Sequence, residues 1–233
     1  MRTNLLLAAL ILAALATHQA LAITATFNAS TATVDDAWVD TDTPNNNYGA
    51  VANLVDNPNG YHPGVVGYKD MFTTAPATSA GQSIVIDVAT MTLTSSGPGW
   101  LKIYRMTSNW MVKPAGQSQT NVTGNKRDVA GGQSWAAGQF GPADYDTAAF
   151  VASTTPGGYN ATTTYDVTSL VAAIYQTGNN YGFAVNAQGG YIRASEFGNS
   201  TPSLAITYHY TPEPATLSLL AVTGLAMLRR KRA

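Results

Sequence analysis

Trp38 is the residue of this chain best suited to bind a sugar. Flat aromatic rings stack on the C–H faces of pyranoses, and polar side chains beside them bind the hydroxyls. The alternation of residues 32–41 puts Trp38 on one strand face with Asp36 and Asp40, carboxylates that are rarely buried without a partner. We therefore expect Trp38 to be exposed as a ligand contact, with a role in the core or at a sheet edge as the alternative.

Other candidate sugar contacts lie in segments rich in Asn and Gly. Tyr48 and Tyr61 each follow such a segment, and Arg193 supplies a guanidinium group for hydroxyls or carboxylates. Loop tyrosines also serve to hold a loop on the core. Trp110 and Trp135 are interpreted mainly as core or loop anchors.

An oxygen-rich stretch near residue 40 could hold calcium. Four aspartates lie within residues 35–42 and three asparagines follow at 45–47, a donor set that Ca²⁺ uses with 6 to 8 ligands. Asp40 and Asp42 are the expected protein ligands of a structural Ca²⁺, although the spacing is not that of an EF-hand. The alternative is a solvated acidic strand and turn. No cofactor other than calcium is expected.

Catalysis is the less favoured interpretation. A glycosidase needs two carboxyl groups about 5 to 9.5 Å apart, and Glu196 is the one glutamate of residues 23–211. Glu196 is better explained as an ion-pair partner of Arg193 or Arg105. A polysaccharide lyase would need a base and a neutralising cation, for which Tyr191 and Arg193 share a strand face. We expect a protein that is not an enzyme.

The elements that would carry these residues are short β-strands. Strand-like runs, separated by Gly-, Pro- and Asn-rich turns, are predicted at residues 32–41, 83–93, 101–106, 162–167, 181–187 and 203–210. In residues 83–93 the alternation puts Ile84, Ile86 and Val88 on one face. Many short strands with turn punctuation indicate a β-sandwich.

One short helix and one long loop interrupt the strands. The helix is predicted after Asp166, with Thr168 as its N-cap, an apolar face of Leu170, Val171 and Ile174, and a stop at Gly178. Residues 113–149 have little periodicity and are predicted to form a functional or mobile loop.

Both ends of the chain have the composition of targeting segments. Arg2 precedes an apolar segment at residues 5–16, and Ala20-Leu21-Ala22 has the small residues at alternate positions that signal peptidase requires. The interpretation is a signal peptide, residues 1–22, cleaved after Ala22. Because the chain has no Cys, an exported domain would fold without disulfides.

The C-terminal segment has three parts in order. They are Pro212-Glu213-Pro214, an apolar run at residues 215–228, and the basic residues Arg229, Arg230, Lys231 and Arg232. At about 1.5 Å per helical residue the 14-residue run reaches about 21 Å, short of the roughly 30 Å hydrocarbon layer. A transient stay in the inner membrane is therefore expected, with a buried C-terminal helix as the alternative. The segment resembles the PEP-CTERM sorting signal of Gram-negative bacteria, which implies processing by an exosortase.

Between these ends, residues 23–211 form one domain with a negative charge. This domain contains seven Lys and Arg but twelve Asp and Glu. Nucleic acid is therefore an unsuitable partner, because its phosphates bind to positively charged surfaces. Six spaced motifs run through this domain: 47–49 with Leu54; 101–105 leading to Trp110; Trp135 followed by 144–146; 165–171; 180–183; and 195–196 followed by 202–204. Together they resemble the DNRLRE domain. That resemblance implies a jelly-roll β-sandwich, found on bacterial surface proteins, with relatives that bind acidic polysaccharides such as alginate.

Two functions follow as hypotheses. The first is an exported, non-catalytic module that binds polysaccharide on the cell surface or in the extracellular matrix. The second is a structural envelope or matrix protein without a glycan pocket. The predicted architecture is all-β, a jelly roll with one short helix at residues 23–211, flanked by a signal helix at 1–22 and a sorting helix at 212–233. Signal peptidase, an exosortase and polysaccharide are the expected partners.

Overall fold

A computed structural model describes residues 22–27, 34–50, 53–55, 63–69, 71, 82–95, 97, 99–113, 117–155, 160–188, 192–194 and 201–212. Its strands are β1 (Ile23–Phe27), β2 (Val34–Trp38), β3 (Asn53–Val55), β4 (Gly64–Tyr68), β5 (Gln82–Ser95), β6 (Gly99–Met106), β7 (Lys126–Asp128), β8 (Gln133–Ser134), β9 (Tyr145–Thr155), β10 (Ala161–Asp166), β11 (Phe183–Gln188), β12 (Ile192–Arg193) and β13 (Ser203–Pro212). A 3-10 turn spans Gln119–Asn121 and an α-helix, α1, spans Thr168–Thr177. In these ranges, no helix combines the length and apolar composition that crossing a bilayer requires.

Two antiparallel sheets form a β-sandwich. The six-stranded sheet has the order β1-β13-β5-β12-β3, with β10 also paired to β5. The five-stranded sheet has the order β2-β4-β11-β6-β9, and β7 and β8 form a separate two-stranded ribbon. The predicted all-β class is therefore confirmed. The predicted signal and sorting helices lie outside the described residues.

The main core fills the space between the two sheets. Leu101 and Ile103 of β6 and Met91 and Leu93 of β5 are almost fully buried there. They alternate with outward-facing neighbours because successive side chains of a strand point to opposite faces. Helix α1 adds Leu170, Val171 and Ile174 to the same core, as its predicted apolar face requires.

All six predicted strand runs contain strands, but β1, β3, β4, β7, β8, β9 and β12 were not predicted. The sequence of β4, Gly64–Tyr68, lacks alternation because all five residues are buried. A strand covered on both faces has no polar side to reveal its period.

The predicted face of β5 is wrong at Val88, because the strand contains a bulge. Thr207 pairs with Val88 and Tyr208 pairs with Ile86, so Asp87 is an extra residue on β5. One extra residue in a strand moves every later side chain of that strand to the opposite face of the sheet. Val88 is accordingly 48% exposed, and Ala89 enters the core instead.

Helix α1 ends as predicted and begins differently. Gly178 is the C-cap in the left-handed conformation, with φ of 69°. The N-cap is Val167 rather than Thr168, and the Asp166 carboxylate accepts the Thr168 N–H at 2.9 Å. A carboxylate one residue before the cap thus replaces the predicted threonine cap. The helix has ten residues.

Two Asn-Asn-Tyr-Gly sequences, at residues 46–49 and 179–182, serve the same structural purpose. In the first, the Asn47 amide donates to the carbonyls of Gln119 (2.8 Å) and Val122 (2.5 Å). Gly49 lies so close to this segment that a Cβ would meet the Gln119 oxygen at 1.9 Å. This motif therefore attaches the loop after β2 to the 3-10 turn.

The second sequence attaches the entry of β11 to the end of β4. The Asn180 amide donates to the carbonyls of Tyr68 (2.8 Å) and Lys69 (3.4 Å). Gly182 has φ of 77°, and a Cβ on it would meet the Val66 oxygen at 2.4 Å. In both motifs an asparagine side chain donates hydrogen bonds to backbone carbonyls of a distant segment. The glycine that follows has no Cβ, which allows the backbone of a distant segment to pass close by.

Candidate functional site

The outer face of the five-stranded sheet is covered over only part of its area. A second apolar cluster joins Tyr104, Met106 and Ala184 of the sheet to Trp110 and Trp135 of the segment 107–144. The predicted loop at 113–149 is thus a packed cover that includes β7, β8 and the start of β9. The expected anchoring role of Trp110 and Trp135 is confirmed, because they are 0% and 2% exposed.

The part of this face beyond the cover carries two aromatic rings around a cation. Lys102 on β6 places its Nζ 5.5 Å from the centre of the Trp100 ring and 5.0 Å from that of Phe150. Phe150, on the edge strand β9, is 45% exposed and also lies 5.5 Å from the Tyr104 ring centre. We call Trp100, Lys102 and Phe150 the aromatic–cation face.

Neighbouring strands complete the chemistry of this face. Lys102 pairs with Asn186 of β11 on one side and with Ala152 of β9 on the other. Directly paired residues project on the same side of a sheet, so the side chain of Asn186 lies on the same side as that of Lys102. Asn186 is half-buried and its Oδ1 is covered, which leaves its amide nitrogen as the group that can reach a ligand. The exposed Ala152 leaves space on the other side. Aromatic and cationic groups and an amide N–H therefore share this side of the sheet.

Lys102 is the cation on this surface that no carboxylate neutralises among the described residues. Arg105, on the same strand, forms an ion pair with Asp146 at 3.0 Å. The hydrogen bond from Arg105 is the main reason that the pKa of Asp146 is lowered. The ammonium of Lys102 lies against the rings of Trp100 and Phe150, and such a contact contributes about 0.5–1 kcal/mol at exposed sites.

The sequence prediction missed this face, although half of its signal was visible. Residues 99–106 alternate, with Leu101 and Ile103 on one side and Trp100, Lys102 and Tyr104 on the other. An aromatic residue and a lysine on the solvent side of a strand could have been chosen as candidates. Phe150 could not, because no strand was predicted in the range of β9 and the predicted loop 113–149 ended just before Phe150.

Trp38 and Tyr48, which were predicted as ligand contacts, come together at the edge strand β2. Their ring centres lie 4.4 Å apart with a 31° angle between the planes. The Tyr48 hydroxyl is hydrogen-bonded to Thr43 Oγ1 (2.8 Å) and receives a bond from the Asn46 amide (3.1 Å). Both rings are half-buried, and their contact attaches the loop 41–50 to β2. Ligand binding by Trp38 and Tyr48 stays a prediction.

The prediction that Asp36 shares an exposed strand face with Trp38 is wrong. Asp36 is fully buried, as is Asp35. Burial, and secondly the charge of Asp36, raises the pKa of the buried Tyr68 hydroxyl. The strand face of Trp38 is therefore an inward one, exposed only at its end.

The remaining predicted contacts lie elsewhere. Arg193 belongs to the six-stranded sheet, where its guanidinium bonds Asn53 Oδ1 (2.8 Å) and Asn160 Oδ1 (3.4 Å). Tyr61 lies outside the described residues, as do Tyr191 and Glu196 of the catalytic alternatives. The structure thus joins Trp38 to Tyr48 and places Arg193 on the other sheet.

The predicted calcium ligand Asp40 organises a turn. Its Oδ1 accepts the N–H groups of Asp42 (2.7 Å) and Thr43 (3.2 Å), and its Oδ2 accepts the Thr43 hydroxyl. Asp42 is exposed, whereas Asp40 is 5% exposed. Over the described ranges, no group of three or more His, Cys, Asp or Glu could hold a metal ion. Calcium binding at Asp40 and Asp42 stays a prediction.

We expect Asp40→Ala to lower the free energy of unfolding by about 1–2 kcal/mol, because three donors lose their acceptor. Thermal denaturation with calcium and with EDTA measures the effect. If Asp40 acts through the turn, the loss is the same in both conditions, and Asp42→Ala has little effect. A calcium-dependent stabilisation that both substitutions abolish would show instead that the two carboxylates bind the ion.

Comparison with known proteins identifies no relative of this chain. No family model and no curated protein matches it. The resemblances to the DNRLRE domain and to the PEP-CTERM signal therefore stay predictions from their motifs. The chemistry of the aromatic–cation face carries the functional argument.

Proposed function

We propose that this protein is an exported, non-catalytic surface or matrix module that binds acidic polysaccharide on its aromatic–cation face. The observation that carries the proposal is the position of the Lys102 ammonium between the Trp100 and Phe150 rings on an open sheet face. The proposed ligand class matches that of the DNRLRE resemblance, but it rests on different residues from those predicted.

Each group on this face has a partner in an acidic sugar chain. The rings of Trp100 and Phe150 offer apolar surface for the C–H faces of pyranoses. The Lys102 ammonium pairs with a carboxylate, and the Asn186 amide bonds a hydroxyl. The face is open rather than enclosed, which suits an internal stretch of a long chain.

The charge of the domain shapes this interaction. Residues 23–211 carry seven basic and twelve acidic side chains, so the domain as a whole repels a polyanion. Attraction must come from short-range contacts on the face. We therefore propose a weak interaction that gains strength from many copies of the module along one polymer.

The finer fold proposed is a jelly roll. Neighbouring strands in both sheets are mostly distant in sequence, as β1 beside β13 and β4 beside β11 illustrate. A chain that crosses repeatedly between two antiparallel sheets has this character. The proposal agrees with the sandwich and with the resemblance to the DNRLRE domain.

Export with removal of both ends is part of the proposal. Ala22, the proposed signal-peptidase site, directly precedes β1, and Pro212 is the last residue of β13. These two strands pair, with Ile23 opposite Tyr208, so the domain would begin and end at one end of one sheet. An exosortase would cut near 212–214 after transient insertion of residues 215–228 in the inner membrane. Intact-mass measurement of the surface protein should give a chain without residues 1–22 and without residues 215–233. A mass that includes the basic residues 229–232 would refute this.

The alternative of a structural matrix protein has one observation in its favour. The outer face of the six-stranded sheet carries hydroxyl pairs, among them Thr24 with Thr207 (3.0 Å) and Thr92 with Thr164 (3.2 Å). A hydroxyl-rich sheet face could pack against neighbouring matrix molecules without a pocket. Such a protein would not be retained by polysaccharide.

Replacing Phe150 with alanine or Lys102 with glutamine is expected to weaken binding to alginate about tenfold, because a stacking surface or the carboxylate partner is lost. A tenfold change corresponds to about 1.4 kcal/mol. Affinity gel electrophoresis with alginate, pectate and neutral glucan in parallel lanes measures it. Retardation by the acidic polymers alone is the expected pattern.

Two matched substitutions serve as controls. Val88→Ala removes an apolar side chain of similar exposure from the other sheet, and Lys113→Gln removes one positive charge from the covering segment. Both should bind as the wild type does, and all variants should retain the melting temperature of a folded domain. If no acidic polymer retards the wild type, the structural alternative is favoured. If only Trp38→Ala loses retardation, the binding site lies at β2 instead.

A further inference from the structure

A separate polar cleft opens where the covering segment meets the ends of β6 and β11. Its volume is about 350 Å³, and Thr107, Ser108, Asn109, Arg127, Ser134 and Tyr181 are among its lining residues. Ligand-binding clefts begin at about 300 Å³, so this one has room for a small ligand. The cleft lies beyond the C-terminal end of β6, whereas Trp100 lies near the start of that strand. At 3.3 Å per residue the two ends of β6 are roughly 20 Å apart. The cleft is therefore distinct from the aromatic–cation face.

Arg127 is held in this cleft by backbone carbonyls. Its Nε donates to the Ser134 oxygen at 3.1 Å and its Nη1 donates to the Asn109 oxygen. Among the described residues the guanidinium forms no ion pair. The nearby carboxylate of Asp128 accepts from the Asn121 amide (2.6 Å) and the Gly131 N–H (2.9 Å). These bonds lower the pKa of Asp128, and the charges of Lys113 and Arg127 lower it further. Arg127 is thus fixed in position, attracted by a neighbouring carboxylate but without a direct ion pair to it.

The rest of the lining suits the other parts of a sugar. Tyr181 is half-buried against the second apolar cluster and offers aromatic surface. Ser108 donates its hydroxyl to Asp144 at 2.6 Å, which leaves its oxygen as an acceptor. Ser134 is hydrogen-bonded to the ammonium of Lys126 at 3.0 Å, so a second cation lies close by. A rigid guanidinium matches a carboxylate, and hydroxyls and an aromatic ring match a pyranose.

We propose that this cleft binds a single uronic acid residue, such as the end of an acidic polysaccharide chain, with Arg127 on its carboxylate. The inference takes its ligand class from the proposed function and rests on it to that extent. It adds a second site with a different task. The open face would hold internal stretches of polymer, and the cleft would hold a terminus.

Isothermal titration calorimetry of the domain with galacturonate, mannuronate and glucose tests the inference. Saturable binding of a uronate, with none of glucose, is expected. Ala136→Trp, which would fill the cleft from an exposed position in its lining, and Arg127→Gln should each weaken uronate binding at least tenfold. Because Arg127 also bonds two backbone carbonyls, the Ala136 variant keeps the test decisive if Arg127→Gln is unstable.

The controls separate this site from the aromatic–cation face. Phe150→Ala should weaken polymer binding about tenfold yet bind the free uronate normally, and Val88→Ala should leave uronate binding unchanged. The proposal is overturned if no uronate binds to the wild type, if glucose binds equally, or if Ala136→Trp has no effect. Retardation by alginate would still support the proposed function in each of those cases.

Discussion

Gly182→Ala is expected to lower the free energy of unfolding by about 3 kcal/mol or more, combining a left-handed conformation with a steric clash. The residue has φ of 77°, which disfavours any side chain. A Cβ would also meet the Val66 carbonyl oxygen at 2.4 Å and the Cα of Gly67 at 3.0 Å. Both contacts are backbone, so neither can swing aside. Urea denaturation followed by tryptophan fluorescence measures the loss.

Gly178→Ala is the matched control for this prediction. Gly178 has a similar φ of 69°, but no atom lies within 4 Å of the position of a Cβ. Only the conformational strain remains there, so the expected loss is about 1 kcal/mol. Equal effects of the two substitutions would mean that β4 and the entry of β11 can separate without loss, contrary to the prediction.

Asp144→Ala is expected to destabilise the protein by about 3 kcal/mol or more, because a fully buried carboxylate that satisfies several donors is removed. Its Oδ1 accepts the Ser108 hydroxyl (2.6 Å) and the Ala136 N–H (2.9 Å), and its Oδ2 accepts the Gly141 N–H (3.1 Å). These bonds hold together the two ends of the covering segment 107–144. In the variant the covering segment should loosen and expose Trp110 and Trp135. Tryptophan fluorescence should then shift to the red, and hydrogen exchange in the segment should become faster.

Asp144→Asn provides the comparison with nearly the same shape. One oxygen remains to accept hydrogen bonds while the other position becomes a donor, so a smaller loss than that of alanine is expected. The cover also forms one wall of the proposed cleft. A stability of Asp144→Ala within about 0.5 kcal/mol of the wild type, the range of ordinary surface substitutions, would contradict the central role of this carboxylate.

The two candidate sites differ in how far local sequence could reveal them. Lys102 lies in the predicted strand 101–106 and Trp100 directly precedes that predicted strand, so their shared face follows from continuing the alternation by one residue. Phe150 joins them through pairing between β6 and β9, which the segment 107–144 separates in the chain. Arg127 joins Tyr181 only through the folding of the cover. Neither of these contacts between distant residues can be recognised from a short stretch of sequence.

The wrong predictions have the same origin. Val88 was placed on the face of Ile84 and Ile86 because no local pattern indicates the bulge at Asp87, which depends on the register between β5 and β13. Asp36 was placed outside because charge favours exposure, whereas its neighbours in the fold bury it completely. In each case the deciding contact came from a distant segment.

The sequence alone determined the features that depend on the period and chemistry of near neighbours: the β-rich class, the inward residues of β6, the apolar face of α1 and its end at Gly178. These follow from alternation along a strand, helical spacing and the conformational freedom of glycine. Tertiary structure alone decided strand register, the half-covered sheet face and the gathering of Lys102, Phe150 and Asn186. Register and cover are set by pairing between remote segments, so the physical information that specifies them is spread over the whole chain.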